Sequence, residues 1–510
     1  MAKNFIFFKP PGPIKEVIKD LKSKPSAFWE RKGEAMALKL FAFASQKVPA
    51  YRQFLKEQGI KPERIKTIED FQKLPSIDKD SYLRKYPYLD LFPGAKLSGA
   101  TTISGTSGST GEPFYFPRGK VQDLIYRYQA EIFLRDQFEI DRKKTLGIIS
   151  FGLGIWIGGI FTYKNFNQLA EQGYPLTLIP IGTNKDLFLK SVKKFGRFFD
   201  QVILMGIPTM IKDIIDEAKD FGVDWRDYRL KILMATEGFS EKFRDYLCRK
   251  TFIKNPLEDT LNIYGSVELG TMAHETALTN LIRKIVVEKP LVFQKLFGQA
   301  SRLPTLAQYH PYLIRFEIVG QELVASGWGS LMPLIRYRLP DMGGVIGFTE
   351  MLEKLKSCGI DVLKEAKKQR IDKKTLKLPF VYVYERSDFA THFIGMIIYP
   401  EYFRLILHEK LIEEFVSGKL SLKTQYDKKQ NQSLEIHVEL KKRVRPKPKL
   451  ENLIAEAAVR ALLKRSTEYQ HLCATGSPEY RQQIRPKIFL HAYEDPLYFK
   501  PGGKPRWLIK

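Results

Sequence analysis

From residue 145 onward the chain alternates short apolar runs with amphipathic segments, and this rhythm limits the possible folds more than any other feature. The apolar runs have the length of buried strands, and they read LGIIS, LTLIPI, QVILMGIP, LKILMA and LNIYG. Segments such as TMIKDIIDEAKDFG and EKFRDYLCRKTF have helical spacing. Strands that alternate with helices form βα units on a largely parallel sheet. The sequence therefore predicts an α/β protein.

Other patterns flank this body. Residues 1–95 read mainly as helices, and residues 275–308 read as a basic, amphipathic helical insertion. Between 314 and 348, IRFEIVGQELVASGW and LMPLIRYRLPDMGGVIGF alternate at period two, as antiparallel strands do. After 386 the order strand, helix, strand, helix, strand predicts a small α+β unit. We therefore expect a large N-terminal α/β domain over 1–385 and a C-terminal domain over 386–510.

The uncharged stretch 145–163, TLGIISFGLGIWIGGIFTY, approaches the length of a membrane-spanning helix. Its five glycines favour a buried strand that runs into a tight loop. The N-terminus lacks the apolar core and the cleavage site of a signal peptide. Cys248, Cys358 and Cys473 show neither CxxC spacing nor a disulfide frame. These features predict a cytoplasmic protein in a reducing compartment.

Charge is the most unusual feature of the composition, because 83 basic against 57 acidic side chains leave a formal charge of +26. Two basic runs, 353–377 and 441–449, carry part of the excess. Such runs are commonly solvated surface. The alternative is a surface for nucleic acid or anionic lipid. Neither run interleaves aromatic with basic residues as a single-strand-binding platform does, so we expect no nucleic-acid or membrane contact through them.

The segment TTISGTSGSTGEPFYF, residues 101–116, is the strongest candidate for a binding loop. Gly105, Gly108 and Gly111 alternate there with threonine and serine. Glycines allow backbone N–H groups to converge into a concave nest, and hydroxyls add donors, which together suit phosphate oxygens. No GK[ST] follows, so the segment is not a Walker loop. Taken alone, it could equally be a flexible surface loop.

Two further segments place carboxylates after predicted strands. LNIYGSVELG leads an apolar strand into Glu268, which could hold Mg²⁺ beside a polyphosphate or could be an early-helix carboxylate. LMPLIRYRLPDMG places Asp341 after a strand that carries Arg336 and Arg338. An acidic side chain there could accept both hydroxyls of a ribose or could close a salt-bridged turn.

In this order and spacing the three segments resemble the adenylate-forming (ANL) superfamily, and specifically its phenylacetate–CoA ligase and CapK-like branch. The resemblance runs from about residue 30 to the last residues and also covers FGLGIWIGGIF, MGIPTM, MATEGFS, ERSDFATHFIGMIIYPEYF and GGKPRW. It implies an N-terminal adenylation domain and a C-terminal lid. It also implies activation of a carboxylic acid with ATP and Mg²⁺ to an acyl-adenylate, followed by transfer to the thiol of coenzyme A or of a carrier protein.

The resemblance assigns roles residue by residue. The implied nucleotide-binding residues are Thr106, Ser107, Gly108, Ser109, Thr110 and Gly111 in the phosphate loop, Thr236, Glu237 and Gly238 in the adenine-lining turn, Tyr264, Gly265 and Ser266 beside the adenylate, Asp341 at the ribose, and Arg386 near ribose and phosphate. Glu268 would hold Mg²⁺, and Lys504 would reach the reacting carboxylate and the α-phosphate. Asp388 matches the lid hinge, and Gly395 lies where a thiol tunnel would open.

The sequence also departs from the family pattern. Glu112 stands where a lysine is usual, Val267 where a threonine is usual, and Leu339–Pro340 where threonine–glycine is usual. These changes leave three alternatives open: an acyl-carrier ligase, an adenylyltransferase, or a non-catalytic binding protein that uses its basic surface.

Two further expectations follow from the resemblance. The cysteine often found soon after the magnesium glutamate in this branch is missing, so we expect no zinc and expect His274 to be a packed or capping histidine. A homodimer is expected because family members often form one. Phe151, Trp156, Phe161, Tyr163 and Met205 could line an acyl pocket or could simply be core.

Overall fold

The computed structural model describes residues 8–106, 114–155, 157–298, 303–384, 391–394, 396–426, 432–475 and 477–500. Its helices are α1 (Ile14–Ser23), α2 (Ser26–Lys47), α3 (Pro49–Glu57), α4 (Ile68–Gln72), α5 (Lys120–Asp136), α6 (Ile157–Glu171), α7 (Lys185–Phe195), α8 (Pro208–Glu217), α9 (Glu241–Thr251), α10 (Pro256–Asp259), α11 (Ala277–Glu288), α12 (Pro290–Phe297), α13 (Phe348–Lys356), α14 (Val362–Lys368), α15 (Glu401–Arg404), α16 (Lys410–Glu413), α17 (Pro448–Arg465), α18 (Thr467–Thr475) and α19 (Pro478–Gln483). Its strands are β1 (Ala100–Gly105), β2 (Tyr115–Gly119), β3 (Thr145–Ile149), β4 (Leu176–Pro180), β5 (Gln201–Gly206), β6 (Leu230–Ala235), β7 (Thr260–Ser266), β8 (Gly270–His274), β9 (Thr305–Gln308), β10 (Ile314–Val319), β11 (Glu322–Gly327), β12 (Leu334–Ile346), β13 (Phe380–Val383), β14 (Thr391–Phe393), β15 (Met396–Ile398), β16 (Val416–Tyr426), β17 (Gln432–Leu440) and β18 (Lys487–His491).

An eleven-stranded sheet organises the chain up to β13, in the order β10-β11-β12-β13-β9-β8-β7-β6-β5-β3-β4. Strands β3 to β7 pair in parallel, and the strands from β8 onward in this sheet pair antiparallel. Every residue of β3 and β5 is buried, as expected for strands covered by helices on both faces. The predicted α/β fold class is confirmed.

A separate antiparallel hairpin of β1 and β2 carries the glycine-rich segment between its strands. Lys164 of α6 fixes the hairpin to α5, because its Nζ lies 2.9 Å from Thr101 Oγ1 and 2.6 Å from Asp123 Oδ2. The start of β1 is therefore anchored to two helices of the main body.

The C-terminal part, from 391 onward, contains a hydrophobic cluster of its own. Strands β16 and β17 pair antiparallel, β17 and β18 pair in parallel, and α17 covers them with Ile454 and Leu462. The segment around 386 lies outside the described residues, so the division into domains at 385/386 stays a prediction.

The structure corrects the sequence analysis in three places. The stretch 145–163 begins with β3, as predicted, but its last residues start helix α6. The insertion 275–308 contains α11 and α12, but Thr305–Gln308 is β9 of the main sheet. The sequence did not predict this strand, because four residues are too few to show a period. Strand β16 was missed. Among the described residues, no helix is both long and apolar enough to cross a bilayer.

Candidate functional site

The carboxyl ends of β5, β6 and β7 lie side by side, and polar turns follow two of them. Gly206 is in register with Met234, and Ala235 with Ile263. The turn 236–238 follows β6, and the turn 267–269 follows β7. Open α/β sheets bind ligands at this edge. We call it the strand-end edge.

Glu268 lies in the turn after β7 and is 4% exposed. Its Oε1 is 3.1 Å from Lys79 Nζ. Burial alone would raise the pKa of the Glu268 carboxyl, but the Lys79 ammonium and nearby N–H and hydroxyl donors outweigh it, and the pKa is lowered. The side chain is therefore an ionised, acceptor-only group, which fits a hard cation such as Mg²⁺, although Lys79 already contacts one of its oxygens.

Lys79 was missed by the sequence analysis. It begins a π-helical turn, Lys79–Leu83, which Asp78 caps by accepting hydrogen bonds from Asp80 N at 3.0 Å and Ser81 N at 2.7 Å. Just before it, Ile77 N donates to Arg336 O of β12 at 3.0 Å, and this bond fixes the segment to the sheet. Single π-helical turns are frequent at functional sites. A lysine after a capping aspartate is too common on surfaces to have identified it.

Arg118 of β2 is a second group that the sequence analysis missed. It is buried, donates to Phe116 O at 3.2 Å and also donates to Val267 O in the turn after β7. Burial lowers the pKa of its guanidinium to about 10. The negative charges of Glu268 and Asp123 raise this pKa but do not outweigh the burial. Arg118 thus joins the hairpin of the glycine-rich loop to the Glu268 turn.

Tyr264 and Asp341 meet although 77 positions separate them in the chain. The Tyr264 hydroxyl donates to Asp341 Oδ2 at 2.7 Å, across from β7 to β12. In the same turn region, Ser266 Oγ accepts a hydrogen bond from Leu269 N at 3.2 Å. A side chain at Gly265 would approach Gly270 O to 2.7 Å, so the narrow turn requires glycine there. The structure therefore brings together the two groups expected beside the adenylate and at the ribose.

The turn 236–238 is strained and is held from two sides. Thr236 has φ +79°, a conformation that is costly for a β-branched residue and that clusters at functional sites. Asn262 Nδ2 donates to Glu237 O at 3.1 Å from β7. Arg404 of the C-terminal part donates to Gly238 O at 2.8 Å. This last contact links the expected adenine turn to the C-terminal part.

Behind the edge lies a set of buried ion pairs that we call the arginine network: Glu241, Arg244, Glu275 and Arg283. Glu275 Oε1 is 2.8 Å from Arg244 Nη2 and 3.0 Å from Arg283 Nη1, and its Oε2 accepts from Asn262 N at 2.9 Å. Glu241 pairs with both arginines at 2.8–2.9 Å. The network ties α9 and α11 to β7 and so fixes Asn262 beneath the turn 236–238.

Comparison with known proteins finds relatives in the family that the motifs resemble. The chain is 24% identical over 301 residues to phenylacetate-coenzyme A ligase of Pseudomonas putida, and 22% identical over 301 residues to that of Aromatoleum evansii. The aligned region is 59% of this chain and 62% of each relative, so the chain spans less than two thirds of the curated relatives it matches. No family model matches the chain.

A solved structure of 2-hydroxyisobutyryl-CoA ligase, in the postadenylation state with R3-HIB-AMP, has a TM-score of 0.63 to this chain. The superposition covers 96% of this chain and 91% of that protein at 16% identity, which establishes a shared fold. The chain is therefore similar in sequence to phenylacetate-coenzyme A ligases and shares the fold of 2-hydroxyisobutyryl-CoA ligase. This confirms the resemblance that its motifs carry.

Many of the residues assigned from the adenylate-forming pattern lie outside the described part of the chain. They are Ser107, Gly108, Ser109, Thr110, Gly111, Arg386, Asp388, Gly395 and Lys504, together with Trp156 of the possible acyl pocket. Thr106 is described and closes the base of the loop, because its N donates to Phe114 O and its Oγ1 accepts from Phe114 N, both at 3.0 Å.

His274 is packed, as expected. Its Nδ1 lies 2.8 Å from Glu275 O, its ring contacts Phe133, and burial lowers its pKa to about 4. Phe161 and Met205 are buried in one core cluster with β3 and β5. In the part of the chain that the structure describes, no group of three or more His, Cys, Asp or Glu side chains is placed to hold a metal.

Proposed function

We propose that this chain is an AMP-forming acid–thiol ligase. It activates a carboxylic acid with ATP to an acyl-adenylate and transfers the acyl group to a thiol, that of coenzyme A. The observation that carries the proposal is the bond between Tyr264 and Asp341 at a strand-end edge that also holds Glu268. The similarity to phenylacetate-coenzyme A ligases supports it.

The strand-end edge would bind the nucleotide in three places. Asp341 would accept the ribose hydroxyls, with Tyr264 orienting its carboxylate. The turn 236–238 would line the adenine. The loop that Thr106 begins would cradle the phosphates with its backbone N–H groups.

Adenylation joins two anions, so the site must offset their repulsion. A carboxylate oxygen bonds to the α-phosphorus of ATP, and the bond from that phosphorus to the pyrophosphate oxygen breaks. Lys79 and Arg118 place positive charge beside Glu268, where the polyphosphate would lie. Mg²⁺ held by Glu268 would neutralise phosphate charge and act as a Lewis acid when bound. Lys504 would contact the carboxylate and the α-phosphate.

Acyl transfer then completes the reaction. The thiol sulfur bonds to the acyl carbon, the bond to the AMP oxygen breaks, and the thiol proton passes to solvent. We propose that residues 386–510 are the lid, that Arg386 lies near the ribose and phosphate, that Asp388 is the hinge, and that Gly395 borders the thiol path. A cytoplasmic location and a homodimer stay predictions.

The test is product analysis with ATP, Mg²⁺, coenzyme A and a panel of aryl and fatty acids. We expect AMP and pyrophosphate to appear together with loss of free thiol for one class of acid. Pyrophosphate release without thiol loss would indicate adenylyl transfer instead. No product with any acid would contradict the proposal and favour a binding protein.

A pair of matched variants locates the activity. Asp341→Ala removes the ribose acceptor, so the KM for ATP should rise by about tenfold or more, as for loss of a charged hydrogen-bond partner. Asp372→Ala, at an exposed position, should leave the KM unchanged. If both variants have the same KM for ATP, the nucleotide binds elsewhere.

A further inference from the structure

Part of the basic run 441–449 faces an acidic surface of α8. Asp213, Asp216 and Glu217 are spaced by three and four residues, so they share one face of this helix. Lys441 Nζ lies 3.8 Å from Asp216 Oδ2. The sequence suggested that this basic run is solvated surface. Part of the run instead contacts the main body.

Lys419 of β16 lies between two carboxylates at this contact. Its Nζ lies 2.9 Å from Asp213 Oδ2 and 3.0 Å from Glu439 Oε2. Both carboxylates are buried, and Lys419 is largely so. Burial would lower the pKa of the Lys419 ammonium, but the two carboxylates raise it above its ordinary value, so the group stays charged. We call Asp213, Lys419 and Glu439 the lysine clamp.

A second lysine extends the lysine clamp. Lys185 Nζ lies 3.0 Å from Glu217 and 2.7 Å from Glu494, and Tyr493 also donates to Glu217. Glu494 N donates to Glu439 Oε1 at 2.8 Å. Two ammonium groups thus serve four carboxylates in one partly buried cluster. Removal of either ammonium leaves carboxylates that repel one another where water screens them poorly.

The lysine clamp joins two parts that have separate hydrophobic clusters. The parts also meet through two polar contacts, since Arg404 donates to Gly238 O at 2.8 Å and Arg249 lies 2.8 Å from Glu413, and through the ring of His408, which packs against Phe243 and Tyr246. Polar interfaces within a chain permit relative motion of the parts they join. Specific charges therefore make many of the contacts that orient the C-terminal part.

We propose that Lys419 is a positioning residue that holds the C-terminal part against α8 in the arrangement of this structure. The inference rests on the proposed function, because a reaction with two steps at one edge makes this orientation matter for turnover. Without the ammonium, Asp213 and Glu439 lose the cation that they share, and the balance shifts toward a detached C-terminal part. Lys419 acts through this orientation and not by contact with the substrate.

Hydrogen–deuterium exchange of the full chain tests the lysine clamp without requiring a substrate. In Lys419→Met, amides of α8 and β16 should exchange about tenfold faster, while those of β5 and β6 keep native rates. Lys419→Arg keeps the charge and should stay within about twofold of native. Lys410→Met, at an exposed position of α16, is the matched control and should match native.

Three exchange results would overturn the proposal: native rates in Lys419→Met, equal acceleration in β5 and β6, or the same acceleration in Lys419→Arg as in Lys419→Met. Kinetics give a second readout. In Lys419→Met the ratio of pyrophosphate exchange to thioester formation should change at least about threefold, with the KM for ATP within about twofold.

The two readouts separate this inference from the proposed function. A native chain that activates no acid would contradict the function, and the exchange rates would still decide the lysine clamp. A native chain that makes thioester, with Lys419→Met equal to it in both readouts, would overturn the lysine clamp alone.

Discussion

The arginine network and the lysine clamp use the same ion-pair chemistry at two places in the molecule, with different surroundings. In the arginine network, side chains at 0–8% exposure pair at 2.8–3.0 Å and tie α9 and α11 to β7. In the lysine clamp, Lys419 is 13% exposed and joins α8 to a part with its own hydrophobic cluster. The network supports the main body, and the clamp sets how two parts meet.

The difference shows that the place of an ion pair in the fold decides what it does, since the carboxylates of both sets are buried. A fully buried pair cannot be broken without leaving a charge in a poorly screened interior, so it behaves as part of the core. A pair at a polar junction can separate when the two parts separate, because water then solvates both charges. The variants below test this distinction, from the largest expected effect to the smallest.

Glu275→Gln should have the largest effect. It removes the carboxylate that serves both arginines and Asn262, so the free energy of unfolding should fall by about 3–5 kcal/mol. Urea denaturation measures the loss. Glu322→Gln is the control, because its pair with Arg338 at 2.9 Å is exposed and should contribute little. Equal losses in both variants would contradict the role of burial.

His310 gives a buried group whose effect depends on pH. Burial, with a smaller contribution from His274 and Lys32, lowers its pKa to about 3. The unfolded chain, with a pKa near 6.5, binds the proton more tightly, so stability is present above about pH 6.5 and is lost as pH falls toward 3. When the pH falls from 7.5 to 5, the free energy of unfolding should decrease in both proteins. The decrease should be about 2 kcal/mol smaller in His310→Gln than in the native chain. The same pH dependence in both proteins would contradict this assignment.

Tyr264→Phe tests the strand-end edge itself. It removes the hydroxyl that donates to Asp341 at 2.7 Å but keeps the ring, so ATP binding should weaken by about 1 kcal/mol, or roughly fivefold. Calorimetric titration with ATP measures the change. Tyr384→Phe, which removes a hydroxyl bonded to Phe297 O at 3.0 Å, should leave the affinity native. A native affinity in Tyr264→Phe would show that the bond does not orient the ribose acceptor.

Arg443→Ala should have the smallest effect. Its guanidinium is exposed and lies 3.8 Å from Asp220, so its loss should change hydrogen exchange at the junction by less than about twofold. A change as large as that of Lys419→Met would mean that the whole run 441–449, and not the lysine clamp, holds the C-terminal part.

The sequence was sufficient to predict the parallel strands of the main sheet, where strands and helices alternate. The apolar runs of β3 to β7 predict the parallel strands, and β3 and β5 are buried along their whole length. Strand β16 was missed because its polar residues hide the alternation of Val416, Leu420 and Leu422, which the structure buries. Helix α6 was missed because glycines at its start favour a loop.

The candidate site was predictable in part. Motifs placed Glu268, Tyr264 and Asp341 near one ligand, and the structure joins two of them directly. Lys79 and Arg118 could not be found, because their importance comes from contacts with a turn about 150 or more positions away. A charged residue shows no sign in sequence that folding will bury it.

The most direct test of the central claim, that the strand-end edge carries out adenylation, is acid-dependent exchange of labelled pyrophosphate into ATP. The native chain should catalyse exchange with one class of acid. Glu268→Gln should reduce the rate by about a hundredfold or more, as expected for loss of a group that acts on transition-state charge, while Glu353→Gln, at an exposed position, should keep it. Exchange at the native rate in Glu268→Gln, or none in the native chain with any acid, would contradict the account.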